Sequence, residues 1–218
     1  MPAGLTIAPQ PAERFDVIGE KAGATARLTH LGLLVADGSL NPATAVSVFD
    51  MGIEIRLSPP GEMLPHAFGT LSLSRDEMEL LDAWVQNIST QVRDVVYIAL
   101  PAWLRDVDED TGRPAGWRFS CAGWVQRAYL VLGIRLIEDS LLPHVTFDVV
   151  LETWRHVLRA ATGGYDPPEE KAREILSWFG LIGPGPWRVL LPGYVLRAFE
   201  QPRSNLPYAP REDDRDFP

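Results

Sequence analysis

One cysteine in 218 residues is the tightest constraint on this chain. A single thiol cannot close an internal disulfide, and no multi-cysteine zinc site can be built around it, so neither staple is available. The fold must be held by an apolar core instead. With 46% hydrophobic and 22% charged residues, the chain has the composition for one. Its length suits one sizeable core, or one domain with an extension. Cys121 is then left with two fates, a small buried apolar residue or a reactive thiol, and the first is the commoner.

Charge narrows the function classes. The formal net charge is −9, and no run of clustered Lys and Arg appears, which argues against a nucleic-acid partner. The opening MPAGLTIAPQPAERF lacks a basic stretch followed by a continuous apolar one, so it does not read as a signal peptide. No window approaches the roughly 20 apolar residues that span a bilayer. A soluble, cytoplasmic protein with no membrane span is expected, with export by a route that uses no cleaved signal left open.

Along the chain, residues 1–14 are proline-rich and read as a flexible or strapped-on arm. Short β-like runs follow at Phe15–Ile18, Leu31–Ala36, Ala45–Phe49 and Ile53–Leu57, with Asp37-Gly38 and Asp50-Met51-Gly52 as turns. They predict an antiparallel sheet. Ser74-Arg75-Asp76-Glu77 fits a capping box, and Met78, Leu81, Trp84, Val85 and Ile88 recur at helical spacing, so a helix is predicted over about 75–93. Val95–Leu100 is apolar, and 105–116 reads as a charged loop. A second helix should run from Cys121 to Leu132 and stop at Gly133. A third is expected from Thr146 through Arg159, ended by Gly163-Gly164, and a fourth from Pro167-Pro168 to about Trp178. The composition shift at Gly163-Gly164 divides a core domain, 15–162, from a helical extension and polar tail, 163–218.

Cys121 stands at a loop-to-helix junction, Arg118-Phe119-Ser120-Cys121-Ala122-Gly123-Trp124-Val125. A helix start favours a thiolate through its aligned peptide dipoles and free N–H groups. Those N–H groups can also donate to an oxyanion developing on a substrate carbonyl. Ala122 and Gly123 are small and leave room for an approaching substrate. A nucleophilic cysteine needs a base, and imidazole titrates near neutral pH. His30 opens the run His30-Leu31-Gly32-Leu33-Leu34-Val35-Ala36-Asp37-Gly38, where it can face the end of a neighbouring helix, and Gly32 leaves space beside it.

The segment from Phe119 to Tyr129 with Gly133-Ile134-Arg135-Leu136 resembles the nucleophile helix and strand entry of NlpC-type papain-like cysteine peptidases. The His30–Gly38 run is similar to the histidine strand of the same superfamily. Histidine before cysteine is the order of its circularly permuted branch, which includes YiiX-like amidases and lecithin:retinol acyltransferase-like enzymes. The resemblance covers about residues 15–145. It implies an α+β, papain-like fold with a small antiparallel sheet packed against the nucleophile helix, followed by C-terminal helices. It also implies a cysteine hydrolase acting on an amide of a peptide or acyl-amide substrate, with no cofactor, or else a lipid acyltransferase or thioesterase-like enzyme. A binding module that kept the fold without the chemistry is the other alternative.

The third residue, which would orient the imidazole, is expected on the strand after His30. Asp50 fits best, with Asn41 and Glu54 as alternatives, and Asp50 also reads simply as a turn residue. His144 stands as a second candidate base, while His66 reads as a loop residue and His156 as structural. Trp117 and Trp124 flank the thiol and could line a substrate cleft, although large aromatics are more often core. Asp106, Asp108, Glu109 and Asp110 lack the spacing of a calcium loop and read as a solvated loop.

Overall fold

The computed structural model describes residues 4–6, 14–21, 28–36, 46–51, 55–58, 67–90, 95–97, 104–107 and 114–215. These residues form a mixed α+β protein. Strands β1 (Gly4–Thr6), β2 (Val17–Glu20), β3 (His30–Ala36), β4 (Val46–Met51), β5 (Ile55–Ser58) and β6 (Ala67–Thr70) make one sheet in the order β1-β6-β2-β3-β4-β5. Every pairing in it is antiparallel. The predicted runs thus supply the consecutive strands β2 to β5. The sheet is wider than expected, because β6 adds on the far side of β2 and part of the N-terminal arm pairs with β6 as β1.

A second sheet holds β7 (Val95–Tyr97), β8 (Leu104–Val107) and β9 (Pro114–Phe119), with β9 between its neighbours. β7 runs parallel and β8 antiparallel to β9. The stretch 105–116, expected as a loop, therefore carries strand at both ends. Its charge hid the pattern: an edge strand such as β8 tolerates polar residues, and Pro114 stands first in β9, where no ladder N–H need be lost.

Helix α1 (Arg75–Thr90) begins as its capping box predicts. The Ser74 amide donates to Glu77 Oε2 at 2.8 Å, and the Glu77 amide donates to Ser74 Oγ at 3.3 Å. Arg203 then grips the same carboxylate, with Nη1 donating to Oε2 at 3.2 Å and Nη2 to Oε1. Helix α2 (Cys121–Val131) ends at Gly133, whose φ of 74° only glycine adopts freely. The Ile134 amide reaches back to the Tyr129 carbonyl and the Gly133 amide to the Leu130 carbonyl, the two bonds of a Schellman turn.

The third predicted helix is two, α3 (Phe147–Thr153) and α4 (Arg155–Ala161), broken at Trp154 with φ −107° and ψ 19°. Thr153 Oγ1 donates to the Val149 carbonyl at 2.8 Å, a back-bond that bends helices, and the Trp154 side chain is buried at the bend. β10 (His144–Val145), ahead of α3, pairs in a small ladder with β11 (Trp187–Arg188), which follows α5 (Glu169–Trp178), and helix α6 (Pro192–Ala198) comes next.

The core runs through the Gly163-Gly164 turn without a break. Ile175, Leu190, Tyr194 and Phe199 belong to the same apolar cluster as Leu31, Trp124 and Tyr129. Helix α6 packs on α2 and β2, and Tyr129 meets Phe199 edge to face, centroids 5.4 Å apart. This approach is close enough to demand a glycine. A Cβ on Gly69 would stand 2.7 Å from Phe199 Cγ and 2.9 Å from Leu196 Cδ2.

Two outcomes follow for stability. Gly69→Ala is expected to cost about 1–3 kcal/mol in urea unfolding through overpacking against α6. Glu77→Gln is expected to cost about 1 kcal/mol at pH 7. The Arg203 guanidinium and the Ser74 cap hold the Glu77 carboxyl down at about 2, from an ordinary 4.5. Its contribution is therefore complete above about pH 4.5 and fades as pH falls toward about 2. The stability gap between wild type and Glu77→Gln should close over that acid range when unfolding is followed at stepped pH.

Candidate functional site

Cys121 is the first residue of α2, and its neighbour Ser120 is the N-cap, with φ −86° and ψ 167°. Ser120 Oγ accepts from the Gly123 amide at 3.0 Å, and the Ser120 carbonyl accepts from the Trp124 amide at 2.8 Å. The cap leaves the amides of Cys121 and Ala122 as the remaining first-turn donors. The turn lies deep. Cys121 is 1% exposed, and Ser120, Ala122 and Trp124 are buried with it.

Trp124, three residues on and therefore on a neighbouring part of the same helix face, is fully buried. Its ring stacks on Trp84 of α1, centroids 4.3 Å apart and planes 27° from parallel. In this conformation Trp124 joins two helices and offers no surface to a ligand. Trp117 lies in β9, opposite Val95 on one side and Arg105 on the other.

Helix α2 seats on β3, the strand that His30 opens. Glu20 stands opposite His30, and Asp50 stands opposite Gly32. Because paired residues share a face, positions 30, 32 and 50 lie on one side of the sheet. Leu31, Leu33 and Val35 lie on the other, and these are the β3 residues in the core cluster of Cys121. His30 is half-buried at the strand's first position. It comes near a histidine that sequence reasoning left as structural. His156, on α4, is an exposed residue whose ring is nonetheless crowded by packed protein. The packed protein around it and then the charge of His30 disfavour its protonated form, so its pKa lies below the ordinary histidine range.

His144 lies exposed in β10, opposite Arg188. Asn41, Glu54, His66, Asp108, Glu109 and Asp110 lie outside the described residues. Among the described residues no group of three or more His, Cys, Asp or Glu could hold a metal ion, and no helix is long and apolar enough to cross a membrane.

Polar groups missed in the sequence fasten α2 at its other side. Gln126 is buried; its Nε2 donates to Asp139 Oδ1 at 2.8 Å and its Oε1 accepts from the Ile137 amide at 3.1 Å. Burial raises the Asp139 pKa, with the Gln126 bond opposing. Tyr129 Oη donates to the Phe15 carbonyl at 2.8 Å, and burial first, then the Asp16 charge, pushes its pKa well above the usual phenol range. Phe15 itself carries a positive φ of 68°, a strained value for a bulky residue, set where this hydrogen bond and the Leu34 pairing fix the chain. One sequence signal was open to reading here, a glutamine on an otherwise apolar helix face.

No family model, curated protein or solved structure matches the chain. Ser120→Ala is expected to cost about 1 kcal/mol, up to ~2, in urea unfolding, because the Gly123 amide would be left buried without its acceptor.

Proposed function

We propose that the chain is a cysteine hydrolase of the papain-like, permuted NlpC-type fold that cleaves an amide through Cys121. The observation that carries the reading is the placement of the only thiol at the first position of a capped helix seated on the strand His30 opens. His30 takes the Cys121 proton, and the thiolate sulfur attacks the carbonyl carbon of a peptide or acyl-amide substrate. The Cys121 and Ala122 amides face the oxyanion. The C–N bond breaks, the amine leaves with the proton from His30, and a thioester remains on Cys121. Water, giving a proton to His30, attacks that thioester; the acid departs and the thiol is restored. Asp50, on the sheet face of His30, orients the imidazole, and Trp117 borders the acyl group. The reading requires the His30 ring to reach the thiol around the end of the sheet.

A second reading has its own observation. A thiol 1% exposed within the apolar core cluster suits a binding module on the same fold in which Cys121 is core. A chloroacetamide probe and a panel of fluorogenic acyl amides separate the two. For the hydrolase, wild type labels at Cys121 and turns over, Cys121→Ala does neither, and His30→Ala loses about 100-fold or more in kcat/KM. Full turnover by Cys121→Ser, or wild-type labelling by His30→Ala near neutral pH, would sink the mechanism, and neither labelling nor turnover by wild type would leave the module.

A further inference from the structure

Helix α5 turns one face to the core, where Ala172, Ile175 and Leu176 are buried. Glu174, Ser177 and Leu181 follow at spacings of three and four, so they line up along a second stripe of the helix and its exit. The exit is sharp. The Leu181 amide bonds back to the Leu176 carbonyl and the Gly180 amide to the Ser177 carbonyl, a Schellman turn in which Gly180 has a φ of 86°. The chain beyond is tied down by Trp187, whose Nε1 donates to the Ile182 carbonyl at 2.9 Å. Gly185 lets that ring approach, since a Cβ there would stand 3.0 Å from Trp187 Cε3. Helix and loop enclose an open cleft of about 460 Å³, lined by Arg173, Glu174, Ser177, Leu181, Gly183 and Pro184. That volume suits a small molecule. Trp178 and Ile182, next in sequence to Ser177 and Leu181, leave large apolar side chains exposed.

One lining residue has a donor to spare. The guanidinium carbon of Arg173 lies over the Phe147 ring, 3.8 Å from its centroid, and Glu169 Oε1 is 2.9 Å from both Nε and Nη2. Nη1 is buried and has no hydrogen-bond partner. A buried donor left unpaired is costly, and a bound acceptor relieves that cost. The acceptor should be neutral. Glu169 already balances the Arg173 charge, and Glu174, paired with Lys171 Nζ at 2.8 Å, lines the same cleft. A further carboxylate would meet like charge there, whereas a carbonyl oxygen would not.

We infer that this cleft binds a neutral ligand with an apolar body and one carbonyl acceptor, the chemistry of an acyl amide. Its oxygen takes the Arg173 Nη1 donors, and its chain lies against Leu181 and Pro184. No residue of α2 or β3 lines the cleft, so this site is separate from Cys121 and needs no hydrolysis.

The test titrates N-acetyl-leucine methylamide, and N-acetyl-leucine as its anionic counterpart, into ¹⁵N-labelled protein followed by NMR. Four proteins are compared: wild type, Arg173→Lys, Ser177→Trp and Cys121→Ala. Lysine keeps the charge beside Glu169 and lacks the second guanidinium nitrogen. Ser177→Trp fills the cleft from an exposed helix position, so the test stands even if Arg173→Lys does not fold. The methylamide is expected to give saturable shifts at the Ser177 and Gly183 amides and at Arg173 Nε–H. Affinity should fall roughly tenfold in Arg173→Lys, vanish in Ser177→Trp and hold in Cys121→Ala, with the acid binding more weakly than the methylamide. Absence of shifts at these groups, equal affinity in wild type and Arg173→Lys, or tighter binding of the acid would overturn the site. Shifts confined to residues around Cys121 would overturn it too, while leaving the hydrolase reading in place.

Discussion

A helix that begins inside a protein must find partners for its first amides without water, and α2 begins at full burial. The hydrogen bond from the Gly123 amide to Ser120 Oγ, 3.0 Å long and buried, is what permits that. With the cap made, α2 can be packed from several sides at once. β3 lies along it, Trp84 stacks on Trp124, and Phe199 meets Tyr129. Without the cap, a buried donor would cost about 1–3 kcal/mol, a sizeable share of the stability of a domain. Among the described residues the N-terminal sheet, α1 and α6 all contact this helix.

The same burial sets the two fates of Cys121 against each other. At 1% exposure the thiol has no open path to solvent in this arrangement, although it stands at a helix start. A reactive role therefore depends on a motion that readmits water or substrate.

Local chemistry made much of the fold readable. The capping box at Ser74 and Glu77 and the glycines at 133 and 163 mark helix ends by rules internal to a few residues. What sequence alone concealed depends on partners far along the chain. β8 and β9 draw their definition from each other and from β7, so their charged residues looked like loop. The bend at Trp154 needs a Thr153 back-bond that competes with helix by a small margin. For the site, the helix-start position of Cys121 and the strand-start position of His30 were legible as local patterns. The approach of His156 to His30 was not, since α4 and β3 are separated by more than a hundred residues and no periodicity links them.

The C-terminal third shows how a composition boundary can mislead about a physical one. A Gly-Gly turn and a polar, proline-rich texture suggest an appendage, because such residues usually mark linkers. Yet the Cβ-free surface at Gly69 is shaped to receive Phe199 and Leu196 from beyond that turn. The chain continues past α6 in a strap, where the Tyr208 amide donates to the Leu136 carbonyl and the Glu138 amide to the Tyr208 carbonyl, 2.8 and 2.9 Å long. Tyr208 Oη then donates to Asp214 Oδ2 at 2.7 Å, holding the final turn against Gly193. Residues 192–215 thus complete the packing of the end of α2 opposite to Cys121. A truncation at the composition boundary would strip the far end of the helix whose near end carries the thiol. The candidate site and the C-terminal segment are in this sense two ends of one packed element.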